Sequence, residues 1–377
     1  MQEHNFSSPG GKRLRKDGPS VGKTVGRTLL RTLAVLGAAT AALALTLVIS
    51  LHMICAGAFP AAQQMFVTTI LETGQLKFLA SWFLSPEEIQ EIVDKNSMQA
   101  LDADVDTGLI QVGAQTGPSG STEQADIEIV EVPGATYTGT MMIVKDPSRV
   151  SLATIYPWRE KGIPLDELVE GCGAVAGING GLYDSTNNSG GRPYGVIVSN
   201  GEIQHNRPYE WPGLVLIGFT EDDILQIIDI AGMTAKEVEV LIQEQRIRDA
   251  VTFQEEASDA NNHFVQLIIN NEAREMNGRG SGLNPRTAIG QRADGTVLLL
   301  CIDGRQAGSL GATYADIIDV MVEYGAVNAC NLDGGSSTVM LLRDENGAVQ
   351  TVNNVSLLQE EPRRMPTFFM VRPLDGE

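Results

Sequence analysis

The stretch Thr296–Ser337 reads TVLLLCIDGRQAGSLGATYADIIDVMVEYGAVNACNLDGGSS. Val297 to Ile302 is an apolar run too short for a helix and bounded by turn residues, which predicts a buried strand. Thr313 stands where a helix N-cap is wanted, with Asp316 three residues on as its capping partner. Ile317, Ile318, Met321 and Val322 form one apolar helical face, and Gly325 supplies the stop. Ala326 to Leu332 predicts a second strand, ending in Asp333-Gly334-Gly335-Ser336-Ser337.

Strand, helix, strand is a βαβ unit, whose strands are expected to be parallel neighbours joined by a right-handed crossover. Asp303 and Asp333 then fall on one rim of the sheet, beyond the carboxyl ends of the strands, where open α/β sheets bind ligands. Two carboxylates on one rim suit hydrolysis. They equally suit two aspartates capping turns, and the local pattern leaves both readings open. A second candidate unit runs from the strand Leu152–Tyr156 through a short helix at Pro164–Glu170 to a strand at Ala174–Ile178. Asn179-Gly180-Gly181 follows it, so the two Gly-Gly turns are expected to share a rim. The fold class predicted is mixed α and β: a largely β core with βαβ elements and flanking helices, preceded by one N-terminal transmembrane helix.

Four segments then stand in a telling order: Ile178-Asn179-Gly180-Gly181 with Tyr183-Asp184, Asn284-Pro285-Arg286-Thr287-Ala288-Ile289-Gly290, Asp303-Gly304-Arg305, and Asn331-Leu332-Asp333-Gly334-Gly335-Ser336-Ser337. Together they resemble the phosphodiester glycosidase family, over roughly Ile127 to Pro373. The resemblance implies hydrolysis of the bond between a sugar and a phosphodiester, releasing free sugar and a phosphomonoester. The alternative is a non-catalytic carbohydrate-binding or envelope-assembly protein on the same fold.

Glycosidases commonly need two carboxyl groups. The catalytic candidates are Asp333 and Asp303, with Asp184 beside the substrate. A phosphate is already a good leaving group, so a cation to meet its charge matters more than a strong acid. Arg286 and Arg305 are the candidates for it. Backbone N–H groups at Gly180, Gly181, Gly334 and Gly335 can hold phosphate or sugar hydroxyls. Asn179 and Asn331 can orient the sugar, with Thr287, Ser336 and Ser337 beside them. No metal site is expected. Calcium would suit the oxygen ligands of Asp303 and Asp333, but no loop of spaced ligands accompanies them.

Composition supports an exported, tethered protein. Of 377 residues with net charge −20, residues 1–31 hold seven Lys/Arg against Glu3 and Asp17, a net of +5, so the rest carries −25. So acidic a body argues against nucleic acid as partner. Residues 1–31 read as a basic cytoplasmic tail and 32–58 as a transmembrane signal anchor, since no Asp, Glu, Lys or Arg occurs from Thr32 to Leu71. A cleaved signal peptide ending at Ala56-Gly57-Ala58 is the rival, although its apolar core would exceed the usual length of about 7–15 residues. The basic flank predicts a single-pass cell-membrane protein, N-terminus cytoplasmic and catalytic domain extracellular. Residues 59–125 read as a membrane-proximal helix, capped at Ser85-Pro86-Glu87-Glu88, and a Gly/Ser/Thr-rich linker that only spaces the domain. By the resemblance, residues 126–377 are expected to form the phosphodiester glycosidase domain. The partners implied are the membrane and a sugar-phosphate or cell-envelope glycopolymer.

Four cysteines, Cys55, Cys172, Cys301 and Cys330, match no zinc spacing; Cys301 and Cys330 read as small buried residues or as a disulfide between neighbouring strands. His4, His52, His205 and His263 fit no triad, and no G-x-S-x-G accompanies them.

Overall fold

A computed structural model describes residues 21–73, 76–101, 103–113, 126–258, 261–354 and 363–374. The first part of the basic tail, most of the linker and the boundary near Gln124 lie outside the described residues.

The chain forms two compact units, Met1–Ala58 and Phe59–Glu377. In the first, helix α1 (Val21–Cys55) is the one helix among the described residues long and apolar enough to cross a bilayer. Its most apolar 18-residue window has a mean hydropathy of 2.2.

The second unit begins with three short helices, α2 (Pro60–Leu71), α3 (Phe78–Phe83) and α4 (Pro86–Asp94). Ser85 and Glu88 form the predicted capping box of α4. Val67, Ile70, Leu71, Ile89, Ile92 and Val93 are buried. The segment expected to be a spacer is therefore structured, and it docks on the body. Thr69 Oγ1 accepts from the Leu283 N–H at 3.0 Å, and Gly282 lies so close to Thr69 that a Cβ would meet its backbone at 2.1 Å. Composition alone missed this, because the partners lie some two hundred residues away in the sequence.

Six strands frame the site: β1 (Val150–Thr154), β2 (Ala176–Asn179), β3 (Arg286–Arg292), β4 (Val297–Ile302), β5 (Ala326–Asn331) and β6 (Thr367–Val371). A seven-stranded sheet runs in the order Ile127–Pro133, Thr138–Val144, β4, β3, β5, Gln266–Ile269, Glu272–Ala273. A five-stranded sheet runs Val349–Thr351, Met340–Arg343, β2, β6, β1. A third sheet, also five-stranded, has Ile247–Gln254 at its centre, packs against helix α6 (Ala235–Glu244), and includes the hairpin turning at Asn200-Gly201, both residues with positive φ.

The crossovers differ from expectation in one respect. β4 and β5 are joined by helix α7 (Tyr314–Glu323), yet both pair antiparallel with β3, which lies between them. They are parallel but not neighbours. The second unit repeats the pattern: β1 and β2, joined through α5 (Leu165–Cys172), both pair antiparallel with β6 between them. In each case a strand from elsewhere in the chain fills the slot under the crossover. The strand ends carrying Asp303 and Asp333 thus stand two strand spacings apart, about 10 Å. β3 also separates Cys301 from Cys330, and both are buried free thiols.

Alternation along β3 assigns its faces. Ile289 packs with Met142, Leu299, Ile178 and Phe369 between the sheets, while Ala288 packs with Ile317 and Met321 of α7 on the other face. Each such fully buried side chain contributes about 1.5–3 kcal/mol of transfer free energy, so a one-residue slip of β3 would be costly. Its register fixes where Arg286 and Thr287 point.

Candidate active site

Because β3 starts where β4 and β5 end, Arg286, Asp303 and Asp333 reach one rim. The second sheet contributes Asn179, at the end of β2. Its Nδ2 donates to the Asp333 carbonyl at 2.6 Å, and its Oδ1 accepts from Thr287 Oγ1 at 2.8 Å and from the Val339 N–H at 3.3 Å. Asn179 is fully buried and bolts the two sheets together. The two Gly-Gly turns do share this rim.

Asp333 leads into a tight turn over Gly335–Ser337, for which Gly335 adopts a φ of 61°. Its carboxylate accepts from the Ser337 hydroxyl and the Gly334 N–H, and the Ser337 Oγ lies 2.8 Å from the Tyr183 hydroxyl. Burial pushes the Asp333 carboxyl up to about 6, against the opposing pull of Ser337, Arg363, Gly334 and Arg305. Burial also raises the Tyr183 phenol, which keeps it a hydroxyl. Two guanidiniums face this carboxyl. Arg305 holds a left-handed backbone at φ 57°, donates to Asn284 Oδ1 at 2.9 Å, and comes within 3.3 Å of where a Cβ on Gly335 would stand. Arg363 hydrogen-bonds the Tyr183 hydroxyl. Ser336 is half-buried in the same turn.

The other predicted residues are placed differently. The Asp303 carboxylate accepts from the Asn354 N–H and Asn354 Nδ2, both at 2.9 Å, and from Asn353 Nδ2 at 3.4 Å. It anchors a turn, and at 3 % exposure it has little surface to offer a substrate. Arg286 points to the α7 face of the sheet. It pairs with Glu72, donates to the carbonyls of Gly282 and Ala312, and lies 4.2 Å over the Tyr314 ring. The side chains of Arg286 and Glu72 are only 5 % and 2 % exposed. Burial drives the Glu72 carboxyl upward, while Glu72 keeps Arg286 charged against its own desolvation. Asn331 lies on this same face, with Nδ2 3.5 Å from the Tyr314 hydroxyl. His263, half-buried beside the cluster, is held neutral with a pKa of about 3, first by desolvation and then by Arg286 and Lys77.

Gly180 and Gly181 serve packing. The Gly180 N–H donates to the Thr367 carbonyl, and a Cβ at Gly181 would meet the Thr252 carbonyl at 2.4 Å. Asp184 caps its own turn, accepting from the Thr186 N–H at 3.0 Å. The Tyr183–Pro193 bridge puts Asp184 on the opposite side of that ribbon from Tyr183. Among the described residues, no group of three or more His, Cys, Asp or Glu side chains converges. Sequence reasoning gave no site role to Tyr183, Arg363 or Glu72. Tyr183 lies inside the motif that begins at Ile178; Arg363 and Glu72 carry no local signal.

Against known families, residues 172–372, just over half of the chain, match the model for the phosphodiester glycosidase domain. This chain belongs to the phosphodiester glycosidase family. As a phosphodiester glycosidase it is similar to the zebrafish N-acetylglucosamine-1-phosphodiester alpha-N-acetylglucosaminidase catalytic domain, a structure auto-inhibited by its pro-peptide. The two are 19% identical over 68% of this chain and 85% of that one, with a TM-score of 0.50, which shows a shared fold. It is also 38% identical over 73 residues to the SPbeta prophage-derived protein YomE of Bacillus subtilis (strain 168), a match spanning 19% of this chain and only 11% of that protein. Membership supports a glycosidase-type function.

Proposed function

We propose that this phosphodiester glycosidase hydrolyses the bond between an anomeric carbon and phosphate in a sugar 1-phosphodiester resembling N-acetylglucosamine 1-phosphodiester. One observation carries the reading: a carboxyl raised to about 6, hydrogen-bonded by Ser337 and faced by two guanidiniums, at the open end of a buried strand. A general base works best with a pKa near the operating pH. Above pH about 6 the Asp333 carboxylate takes a proton from water, and the water oxygen bonds to the anomeric carbon. The carbon–oxygen bond to phosphate breaks, and its electron pair stays on the phosphate oxygen. The products are free sugar and a phosphomonoester, which carries one more negative charge than the diester did. No second carboxylic acid is required, because the leaving phosphate is stable as an anion. Asp303 is therefore released from catalysis to its structural task.

Helix α1 and the basic residues before it support a tethered enzyme whose catalytic body lies outside the cell, acting on a sugar phosphate or an envelope glycopolymer. Protease added to intact cells should then degrade the body and spare the N-terminus. The central test is Asp333→Asn, assayed on an N-acetylglucosamine 1-phosphodiester. Turnover should fall by at least about 10²-fold while the protein stays folded. Full turnover by the folded variant would leave Asp333 a turn residue and favour the non-catalytic reading.

A further inference from the structure

Among the described residues, the charges around Asp333 do not balance. On the α7 face, Arg286 is neutralised by Glu72. On the Asp333 side, Arg305 and Arg363 lie close enough to repel one another; among the described residues Asp333 attracts both, and Glu72 attracts Arg305 as well. A protein of net charge −20 thus concentrates positive charge at one point of its rim. Burial, followed by Arg286, lowers the Arg305 pKa, as expected for a cation short of counter-charge.

Arg363 is the more informative of the two. Its Nε is buried and has no hydrogen-bond partner among the described residues. Leaving a buried charged donor unmade is costly, and native proteins tolerate this mainly where a ligand completes the bond. The side chain is not adrift. Its guanidinium is held by the Tyr183 hydroxyl, which is itself fixed by Ser337 at 2.8 Å. Its backbone is pinned by the next residue. The Arg364 N–H donates to Asn188 Oδ1 at 3.1 Å, and Arg364–Met365 pairs with Ile163–Pro164. Arg305 is fixed from the other direction by Asn284 and its left-handed backbone.

We propose that Arg363 is a catalytic residue: with Arg305 it grips the substrate phosphate, its buried Nε–H donating to a phosphate oxygen, while Tyr183 and Ser337 hold the guanidinium in place beside Asp333. The proposal rests on the glycosidase reading above and moves the phosphate contact from Arg286, whose charge is already neutralised within the fold. The guanidinium fork matches phosphate geometry in a way that a lysine ammonium cannot. Its effect grows during the reaction, because the phosphate gains a negative charge as the anomeric bond breaks. Arg363 should therefore act on kcat more than on KM.

The test uses the full-length protein in detergent micelles, with inorganic phosphate as the probe. Calorimetry should show phosphate binding to the wild type. Arg363→Gln should weaken it at least ~10-fold, and Arg363→Lys should recover only part of the loss. Arg363→Gln should also lower kcat on the phosphodiester by about 10²-fold, with an unchanged melting temperature. Phosphate affinity and kcat both unmoved by Arg363→Gln would overturn the clamp, even if Asp333→Asn had abolished turnover. A wild type that binds no phosphate would overturn it as well. Arg363-dependent phosphate binding in a protein that hydrolyses no phosphodiester would uphold the anion site and sink the glycosidase reading instead.

Discussion

Two polar clusters lie on the same rim, a few side chains apart, and they are built to opposite rules. On the α7 face, Glu72, Arg286, Tyr314 and Asn284 form a closed set in which opposite charges meet and the donors of Arg286 have acceptors. Around Asp303, two asparagines saturate a single carboxylate in the same way. On the other side, burial outweighs the two guanidiniums that face Asp333, and Arg363 keeps a buried N–H with no partner among the described residues. A completed network has no binding capacity left and serves the fold. An incomplete one stores unfavourable free energy that a ligand can relieve. Residue type did not separate the two, since both clusters consist of arginines, carboxylates and asparagines.

The largest expected effect tests the closed side. Glu72→Gln removes a buried charge and leaves Arg286 uncompensated, so unfolding should be easier by about 3–5 kcal/mol. Denaturant melts of the full-length protein measure this, and kcat of the folded fraction should hold. A loss of kcat with unchanged stability would erase the distinction between the two clusters.

Next comes the open side. The Asp333 pKa rises on folding from 3.8 to about 6, so the folded state holds its proton more tightly. That stability is fully present below pH 3.8 and is lost as pH rises through 6. Removing the charge should accordingly stabilise. Asp333→Asn should raise the melting free energy at pH 7 by up to about 2–3 kcal/mol, with the gain vanishing near pH 4. The same group predicts that kcat/KM of the wild type climbs about tenfold per pH unit below 6 and levels off above it. A flat profile between pH 4 and 7 would remove Asp333 from the role of base.

The smallest effect sharpens the contrast between the two aspartates. Asp303→Asn loses part of one hydrogen-bonded turn, so stability should drop by about 1–2 kcal/mol with turnover changed less than a few fold. Paired with Asp333→Asn, this gives opposite signs in stability and very unequal effects on activity.

Legibility in the sequence followed distance. The Thr313–Asp316 and Ser85–Glu88 capping boxes were readable, because their partners lie within three residues. The shared rim was readable too, from two crossovers. What an apolar run cannot encode is which strand lies next to it, and so the insertion of β3 and β6 went unseen. The pairing of Arg286 with Glu72 spans 214 residues and has no local trace. Arg363 stands in Glu360-Glu361-Pro362-Arg363-Arg364, where nothing in the pattern tells one arginine from the next. Their partners separate them, the Tyr183 hydroxyl for Arg363 and the Gly162 carbonyl for Arg364, and those are set by the fold.

The placement of β6 also governs how the body comes to be folded. Phe369 pairs with both Leu152 and Ile178, so strands made some two hundred residues earlier wait for this one before their sheet can close. Arg149 likewise finds the Arg372 carbonyl 223 residues along the chain. Contacts of such long range make folding slow, and a chain cut short before Thr367 exposes two adjacent strand edges, a template for aggregation. During synthesis, the rim that holds Asn179 and Asp333 is assembled only after β6 has been made.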